Sequence, residues 1–222
     1  PTFPASRLAD IAPFHVMELL TRAKALEAEG RDVIHLEVGE PDFPTPEPII
    51  AAAQAHIASG RVFYTPALGL PELRRAIAAF YATRYDLDLP AERIVVTAGA
   101  SGALLLALAC LAEPGSEWLV SDPGYPCNRH FVRAFEGVPV GIPVGPEDNF
   151  QPHTSALAAY WSARTAGALL ASPANPTGTM LSGDELADLA GFVRERQGQL
   201  IVDEIYHGLT YGGSAETALK YG

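Results

Sequence analysis

The sequence predicts an α/β fold, a mainly parallel sheet flanked by helices, with an N-terminal arm belonging to a smaller second domain. Two observations carry this expectation. From residue 93 onward, short apolar runs alternate with stretches of helical periodicity, the pattern that builds parallel strands covered by helices. Two of the runs, Gly167–Ser172 and Gln199–Val202, are nearly continuous in apolar residues rather than alternating, as expected of strands buried on both faces. A composition of 48% apolar and 18% charged residues suits such double burial.

The elements follow in order. Phe14–Glu29 has helical periodicity and stops at Gly30, a normal C-terminal signal. Val33–Val38 reads as a short extended piece that enters the turn-rich loop Gly39-Glu-Pro-Asp-Phe-Pro-Thr-Pro46. Helices are expected at Pro48–Ser59 and Pro71–Tyr85, the second with Pro71 at its first position. Strands are expected at Arg93–Thr97, Glu117–Ser121, Val138–Val144, Gly167–Ser172 and Gln199–Asp203. Between them lie helical stretches at Ala100–Ala112, Asn128–Phe135, Ser155–Ala163 and Asp184–Arg196. The expected boundary is near Thr45, dividing an arm of residues 1–45 from a sheet domain of residues 46–222.

The formal net charge of −11 argues against nucleic acid or an anionic membrane as partner, since both require clustered Lys and Arg. It does not argue against a bound phosphate, which backbone N–H groups can hold. Cys110 and Cys127 form neither a disulfide framework nor a metal pair, and the six histidines lack ligand spacing, so no metal is expected. No run reaches the ~18 apolar residues that suggest a membrane span and no signal peptide is recognised, so the expected location is cytoplasmic.

The chemistry-bearing residues gather at the expected carboxyl ends of strands, where open α/β sheets bind ligands. Asp203 ends one apolar run, with Tyr206 three positions on; a carboxylate there needs solvent or a partner, either a ligand cation or a structural cap or ion pair. Asn175 stands between Pro173 and Pro176, ahead of Gly178, in a turn that prolines pre-set; it faces a ligand or simply makes a tight strand-to-helix turn. Gly99, Ala100 and Ser101 open a helix with small side chains, leaving room for an anion at its free N–H groups, or marking a plain helix start. The loop Asp122-Pro-Gly-Tyr-Pro126 holds Tyr125 at a set angle, for stacking on a flat ligand or for packing its own loop. Tyr64, before Pro66, is another exposed phenol or a local anchor. An Asp beside a ring nitrogen, with Tyr and Asn near a phenolic oxygen, is how a protein holds pyridoxal 5′-phosphate.

Taken together, these motifs resemble the class I/II aminotransferases, pyridoxal-phosphate enzymes of fold type I that include the aspartate and aromatic aminotransferases. The resemblance runs from the Gly39-Glu-Pro-Asp42 loop to Asp203-Glu-Ile-Tyr206, nearly the whole chain. It implies the large domain of that fold. Gly39 would lie against the substrate carboxylate; Gly99, Ala100 and Ser101 would bind the phosphate; Tyr125 would stack on the ring. Asn175 and Tyr206 would bond the phenolic oxygen, Asp203 the ring nitrogen. Tyr64 would reach the phosphate of a neighbouring subunit in a homodimer. The substrates implied are an amino acid and a 2-keto acid.

In such enzymes the Schiff-base lysine follows the next strand, about thirty or more positions after the Asp. The only lysines here are Lys24 and Lys220; neither matches, so the catalytic lysine is expected outside this sequence, together with the C-terminal portion of the fold. Alternatives remain: a truncated cofactor-binding or interaction protein without transferase activity, or a lyase or decarboxylase on the same scaffold.

Overall fold

A computed structural model describes residues 4–41 and 43–222. The chain divides into two compact units, one of Pro71–Gly222 with the N-terminal stretch up to Ala12, the other of Pro13–Leu70. Thr45 falls inside the second unit, and Asp42 lies outside the described residues.

The unit Pro13–Leu70 contains helices α1 (His15–Ala28) and α2 (Glu47–Ala58), neither of which buries a residue. Its connecting segment is held locally by the His35 imidazole, which bonds Glu37 at 2.6 Å and Glu27 at 3.0 Å. Those bonds, to Glu37 first, raise the His35 pKa.

The larger unit contains α3 (Pro71–Tyr85), α4 (Gly99–Leu111), β1 (Glu117–Asp122), α5 (Pro126–Ala134), β2 (Val138–Pro143), α6 (Thr154–Tyr160), β3 (Thr165–Ala171), α7 (Gly183–Glu195) and β4 (Gln199–Asp203). The four strands form one sheet of order β2-β1-β3-β4, parallel throughout. β1→β2 steps in one direction and β3→β4 in the other. Right-handed crossovers must therefore put α5 and α7 on opposite faces, and the two cores show that they do. Leu119, Ala168 and Leu170 point to one face and pack with Leu157 of α6 and Leu186, Leu189 and Val193 of α7. Trp118, Val120 and Leu169 point to the other and pack with Leu104 and Leu108 of α4 and Val132 of α5. The near-continuous apolar runs are thus explained, because successive residues of β1 and β3 enter different cores.

One expected strand is absent. Ile94 has extended backbone and is buried, but no strand pairs with Arg93–Thr97 among the described residues, and Ala91–Arg93 is a 3-10 turn. The Arg74 guanidinium of α3 donates instead to the carbonyls of Ile94 (2.8 Å) and Ala91 (2.6 Å). A side chain thereby satisfies backbone acceptors that a sheet ladder would otherwise take.

At the start of β1, the buried Glu117 accepts from Ser162 and Arg164. These bonds, Ser162 first, hold its carboxyl below the usual range and tie β1 to the turn that enters β3. α7 begins with a capping box. Ser182 Oγ accepts from Glu185 N at 3.3 Å, and Glu185 Oε2 accepts from Ser182 N at 2.7 Å, so two orphan helix donors are satisfied reciprocally. The bond from the Ser182 N–H first, and then one from the Ser182 hydroxyl to Glu185 Oε2 (2.7 Å), hold the Glu185 carboxyl below its ordinary value of 4.5.

Ser182→Ala is expected to lower the unfolding free energy by about 1 kcal/mol. Because the folded-state Glu185 pKa is depressed, its contribution is present above the ordinary value and is lost as pH falls through the folded one. The stability gap between wild type and Glu185→Gln should therefore shrink with acidification below 4.5. Urea unfolding of each variant across that range checks both statements.

Candidate functional site

Strand order reverses between β1 and β3. Their C-terminal loops leave in opposite directions, and the crevice between them is where open α/β sheets take ligands. Gly124, Tyr125 and Asn128 line one bank of this crevice, and Ala171, Ala174 and Asn175 line the other. β4 ends next to β3, with Asp203 opposite Ala171 in the ladder.

Tyr125 caps α5, and Pro126 supplies the first helical residue. Its phenol is pushed up to about 12, first by a hydrogen bond with Cys127, then by burial, with smaller contributions from neighbouring ionisable groups that include Asp203. The ring is therefore neutral across the physiological range, and Asp203 lies close enough to act on it.

Asn175 sits in a loop closed by bonds from Gly178 N to Ala174 O (2.8 Å) and from Ala174 N to Thr179 O (2.9 Å). Gly178 has φ +71°, a conformation that glycine adopts without Cβ strain. The buried Gln151 fastens this loop from behind, its amide donating to the carbonyls of Thr179 (2.9 Å) and Ala171 (3.2 Å). So held, Asn175 Nδ2 donates to the Tyr206 hydroxyl at 3.3 Å.

Asp203 is partly buried, and its Oδ1 accepts from Ile205 N at 3.0 Å, an Asx turn that opens the segment carrying Tyr206. Beside it, Ala100 at the start of α4 lines the same open groove, about 780 Å³, that runs along the outer edge of β4 between α4 and α7. The first turn of α4 has no side-chain cap. The Gly99 N–H is directed to Thr97 O (2.9 Å), and Thr97 Oγ1 bonds Gly99 O (2.8 Å). Gly99 takes φ +72° to make this turn. The amides of Ala100 and Ser101 are thus left as the uncapped donors at a helix N-terminus, a position that favours anions.

The larger unit therefore brings Tyr125, Asn175, Asp203 and Tyr206 together, with Gly99, Ala100 and Ser101 opening the adjacent helix. Gly39 and Tyr64 belong to the unit Pro13–Leu70; both are exposed, and Tyr64 fully so. Lys220 forms an ion pair with Glu216 at 2.8 Å, which raises its pKa.

Three residues at the site were not singled out from the sequence. Gln151 supports the Asn175 loop, and no local motif marks it. Asn128 is 7% exposed on the crevice wall, and its Oδ1 has no hydrogen-bond partner among the described residues; its position three after Tyr125 in a loop-to-helix turn was the available signal. His207 directly follows Tyr206 and is almost entirely buried. A buried acceptor without a partner at the crevice, a carboxylate, a phenol–amide pair and two uncapped amides fit a ligand carrying N–H or O–H donors, an acidic ring nitrogen and an anionic tail.

Residues 31–220 match the sequence model of the family described as aminotransferase class I and II. The chain is 39% identical over 213 residues to the valine–pyruvate aminotransferase of Mycobacterium tuberculosis, covering 96% of this chain and 55% of that protein. It is 36% identical over 205 residues to an aspartate aminotransferase of Thermotoga maritima, covering 92% and 54% respectively. The solved aspartate aminotransferase of Thermus thermophilus with maleate superposes with a TM-score of 0.95 at 31% identity, covering all of this chain and 58% of that one. The chain thus spans a little over half the length of the relatives it matches. Its sheet is that of the fold type I aminotransferases, and the chain belongs to the class I and II aminotransferase family.

Proposed function

We propose that this chain forms the cofactor-binding part of an aminotransferase that uses pyridoxal 5′-phosphate to move an amino group from an amino acid to a 2-keto acid. The observation that carries this reading is the meeting of Asn175 and Tyr206, 3.3 Å apart, with Asp203 at the end of β4 and Tyr125 in the loop after β1. Each of these groups has a counterpart on the cofactor.

When bound, the cofactor supplies an electron sink for the carbanion formed at the amino acid Cα. The protein's part is to hold and tune it. The Asp203 carboxylate keeps a proton on the ring nitrogen, since an adjacent negative charge favours the protonated base. Asn175 Nδ2 and the Tyr206 hydroxyl donate toward the phenolic oxygen. The neutral Tyr125 ring covers one ring face. The N-terminal turn of α4, at Gly99, Ala100 and Ser101, takes the phosphate, chiefly through the two amides that the Thr97 turn leaves uncapped. Asn128 Oδ1 offers the crevice a further acceptor. Gly39 beside the substrate carboxylate is assigned on the family resemblance alone, and so is Tyr64 reaching a neighbouring subunit; the complete exposure of Tyr64 supports the latter and with it a homodimer. The transferase names of the relatives favour amino transfer over a lyase or decarboxylase reaction.

Neither lysine of this chain is assigned the reactive role. Lys220 lies in the 3-10 turn Ala218–Lys220 and is paired with Glu216 at 2.8 Å. Lys24 lies on α1, remote in sequence from every motif named above.

In the full-length protein, Asp203→Asn should preserve the fold and cofactor stoichiometry while lowering kcat by about a hundredfold or more; steady-state transamination assays with an unchanged melting temperature are the expected result, and wild-type turnover would remove Asp203 from this role. Borohydride reduction of residues 1–222 mixed with pyridoxal 5′-phosphate, followed by peptide mass mapping, should find no stoichiometric adduct on Lys24 or Lys220. A phosphopyridoxyl group on Lys220 would reverse that assignment. Sedimentation of the full-length holoprotein should give a dimer, with Tyr64→Phe weakening cofactor retention; a compact monomer that still holds cofactor would rule out the subunit-bridging role.

A further inference from the structure

His207 has no part in the scheme above, yet its ring joins three elements of the site. Nε2 lies 3.0 Å from the carbonyl oxygen of Ser172, and Nδ1 lies 2.7 Å from the Tyr85 hydroxyl. A carbonyl oxygen can only accept, so Nε2 carries the proton; in the neutral ring Nδ1 then accepts from Tyr85. The tautomer is dictated by these partners.

What the ring joins is specific. Ser172 is the first residue beyond β3 and leads into the loop that carries Asn175. Its N–H donates to Asp203 O at 3.0 Å, and its Oγ accepts from Leu181 N at 2.9 Å. Its carbonyl is the atom that His207 takes, and Ser172 itself is 1% exposed. His207 is adjacent in the chain to Tyr206 and four positions after Asp203. Its own N–H donates to Glu204 O at 3.0 Å, closing the turn after β4, while Glu204 Oε1 accepts from Ala218 N at 2.7 Å. Tyr85 is the last residue of α3 and is buried, with its ring 5.6 Å from the imidazole. The imidazole thus fastens the turn after β4 to the loop after β3, braced from α3.

We propose that His207 is a positioning residue that sets the separation between the Asn175 amide and the Tyr206 hydroxyl. This rests on the reading that these two groups hold the cofactor's phenolic oxygen. Asn175 and Tyr206 stand on different loops, and the hydrogen bond between them, at 3.3 Å, is too long to fix the spacing unaided. The shorter bonds of His207 lie behind them, shielded from solvent. Without the imidazole, the Ser172 carbonyl and the Tyr85 hydroxyl would both be buried without partners. The two loops would relax apart to admit water to these groups.

The test compares His207→Leu, His207→Gln, Tyr85→Phe and Tyr206→Phe in the full-length holoenzyme, with crystal structures of the two His207 variants. Glutamine places an amide N–H near the position of Nε2 and keeps the bond to Ser172; leucine removes it. In His207→Leu the Asn175 Nδ2–Tyr206 Oη distance should exceed 3.5 Å, kcat should fall about tenfold with KM for the amino donor nearly unchanged, and the pH titration of the cofactor's visible absorption should move in the same direction as in Tyr206→Phe. His207→Gln should restore the distance, kcat and spectrum together. Tyr85→Phe, which deletes one hydroxyl and is expected to fold, should shift them less in the same sense. Should His207→Leu lower only the melting temperature, with the distance, kcat and spectrum as in wild type, His207 is merely structural and the proposal fails. If His207→Leu does not fold, unchanged kcat and spectrum in both His207→Gln and Tyr85→Phe, with the Ser172 bond lost in the His207→Gln structure, would overturn it equally. A spectrum unmoved in Tyr206→Phe would instead count against the cofactor reading, and the crystallographic distance in His207→Leu would still decide whether His207 positions the pair.

Discussion

Parallel strands cannot be joined by tight turns; each connection must return to the starting edge, and it does so with a right-handed crossover. In this sheet the crossover leaving β1 goes to one side and the crossover leaving β3 goes to the other. Their loops therefore diverge, and no helix can cover the gap between the two carboxyl ends. The crevice is a consequence of strand order and not of any residue in it. Once it exists, polar side chains on the loops that follow Asp122, Ala171 and Asp203 can be directed to a common place. A short list of residues on well-separated segments can then act on one ligand.

What strand order leaves open, a second layer of buried polar groups makes definite. Loops that leave a buried sheet carry backbone groups that water cannot reach, and here side chains answer them. Gln151 serves the carbonyls of Ala171 and Thr179, His207 serves Ser172, and Glu204 receives the amide of Ala218. Each such residue is distant in sequence from the group it satisfies, so each also fixes one loop relative to another. Satisfying the backbone and setting the geometry of the site are the same act. Deleting a network member is for that reason costly, since it exposes a buried partner as well as removing a contact.

The fold was legible in the sequence where local chemistry and tertiary context agree. Helix α3 was expected at the bounds observed, Pro71–Tyr85, because Pro71 supplies a first helical position and periodicity carries the rest. β4 ends at Asp203 as expected, since an apolar run meeting an acidic residue marks where burial stops. Arg93–Thr97 was read as a strand from the same apolar signal, but strand identity needs a ladder partner, and composition cannot reveal whether one is supplied. In the site, Tyr125, Asn175 and Asp203 could be found because prolines, glycines and strand ends flag them. Gln151 and His207 could not, and Asn128 only by its place three residues after Tyr125. A buried polar residue is recognised by what it touches, and its partners here lie 20 to 122 positions away or, for Asn128 Oδ1, do not occur among the described residues.

The charge of the chain raises a question that the same geometry answers. A net charge of −11 should repel a phosphate, and Asp203 lines the groove that Ala100 also lines. Screening confines such repulsion to about 8–10 Å at ordinary ionic strength, so the global charge matters less than the few groups facing the anion. In the proposed cofactor site those groups are backbone amides at the start of α4, the positive end of a thirteen-residue helix, which carries the equivalent of about half a positive charge. Gly99 takes φ +72° and directs its own N–H to Thr97, and the N-cap residue Ala98 gives the next two amides no side-chain cap. A serine or aspartate at position 98 would cap them in the usual way and remove the donors. Ala98 in that position has no side-chain acceptor and leaves those amides to the anion that the proposed function places there.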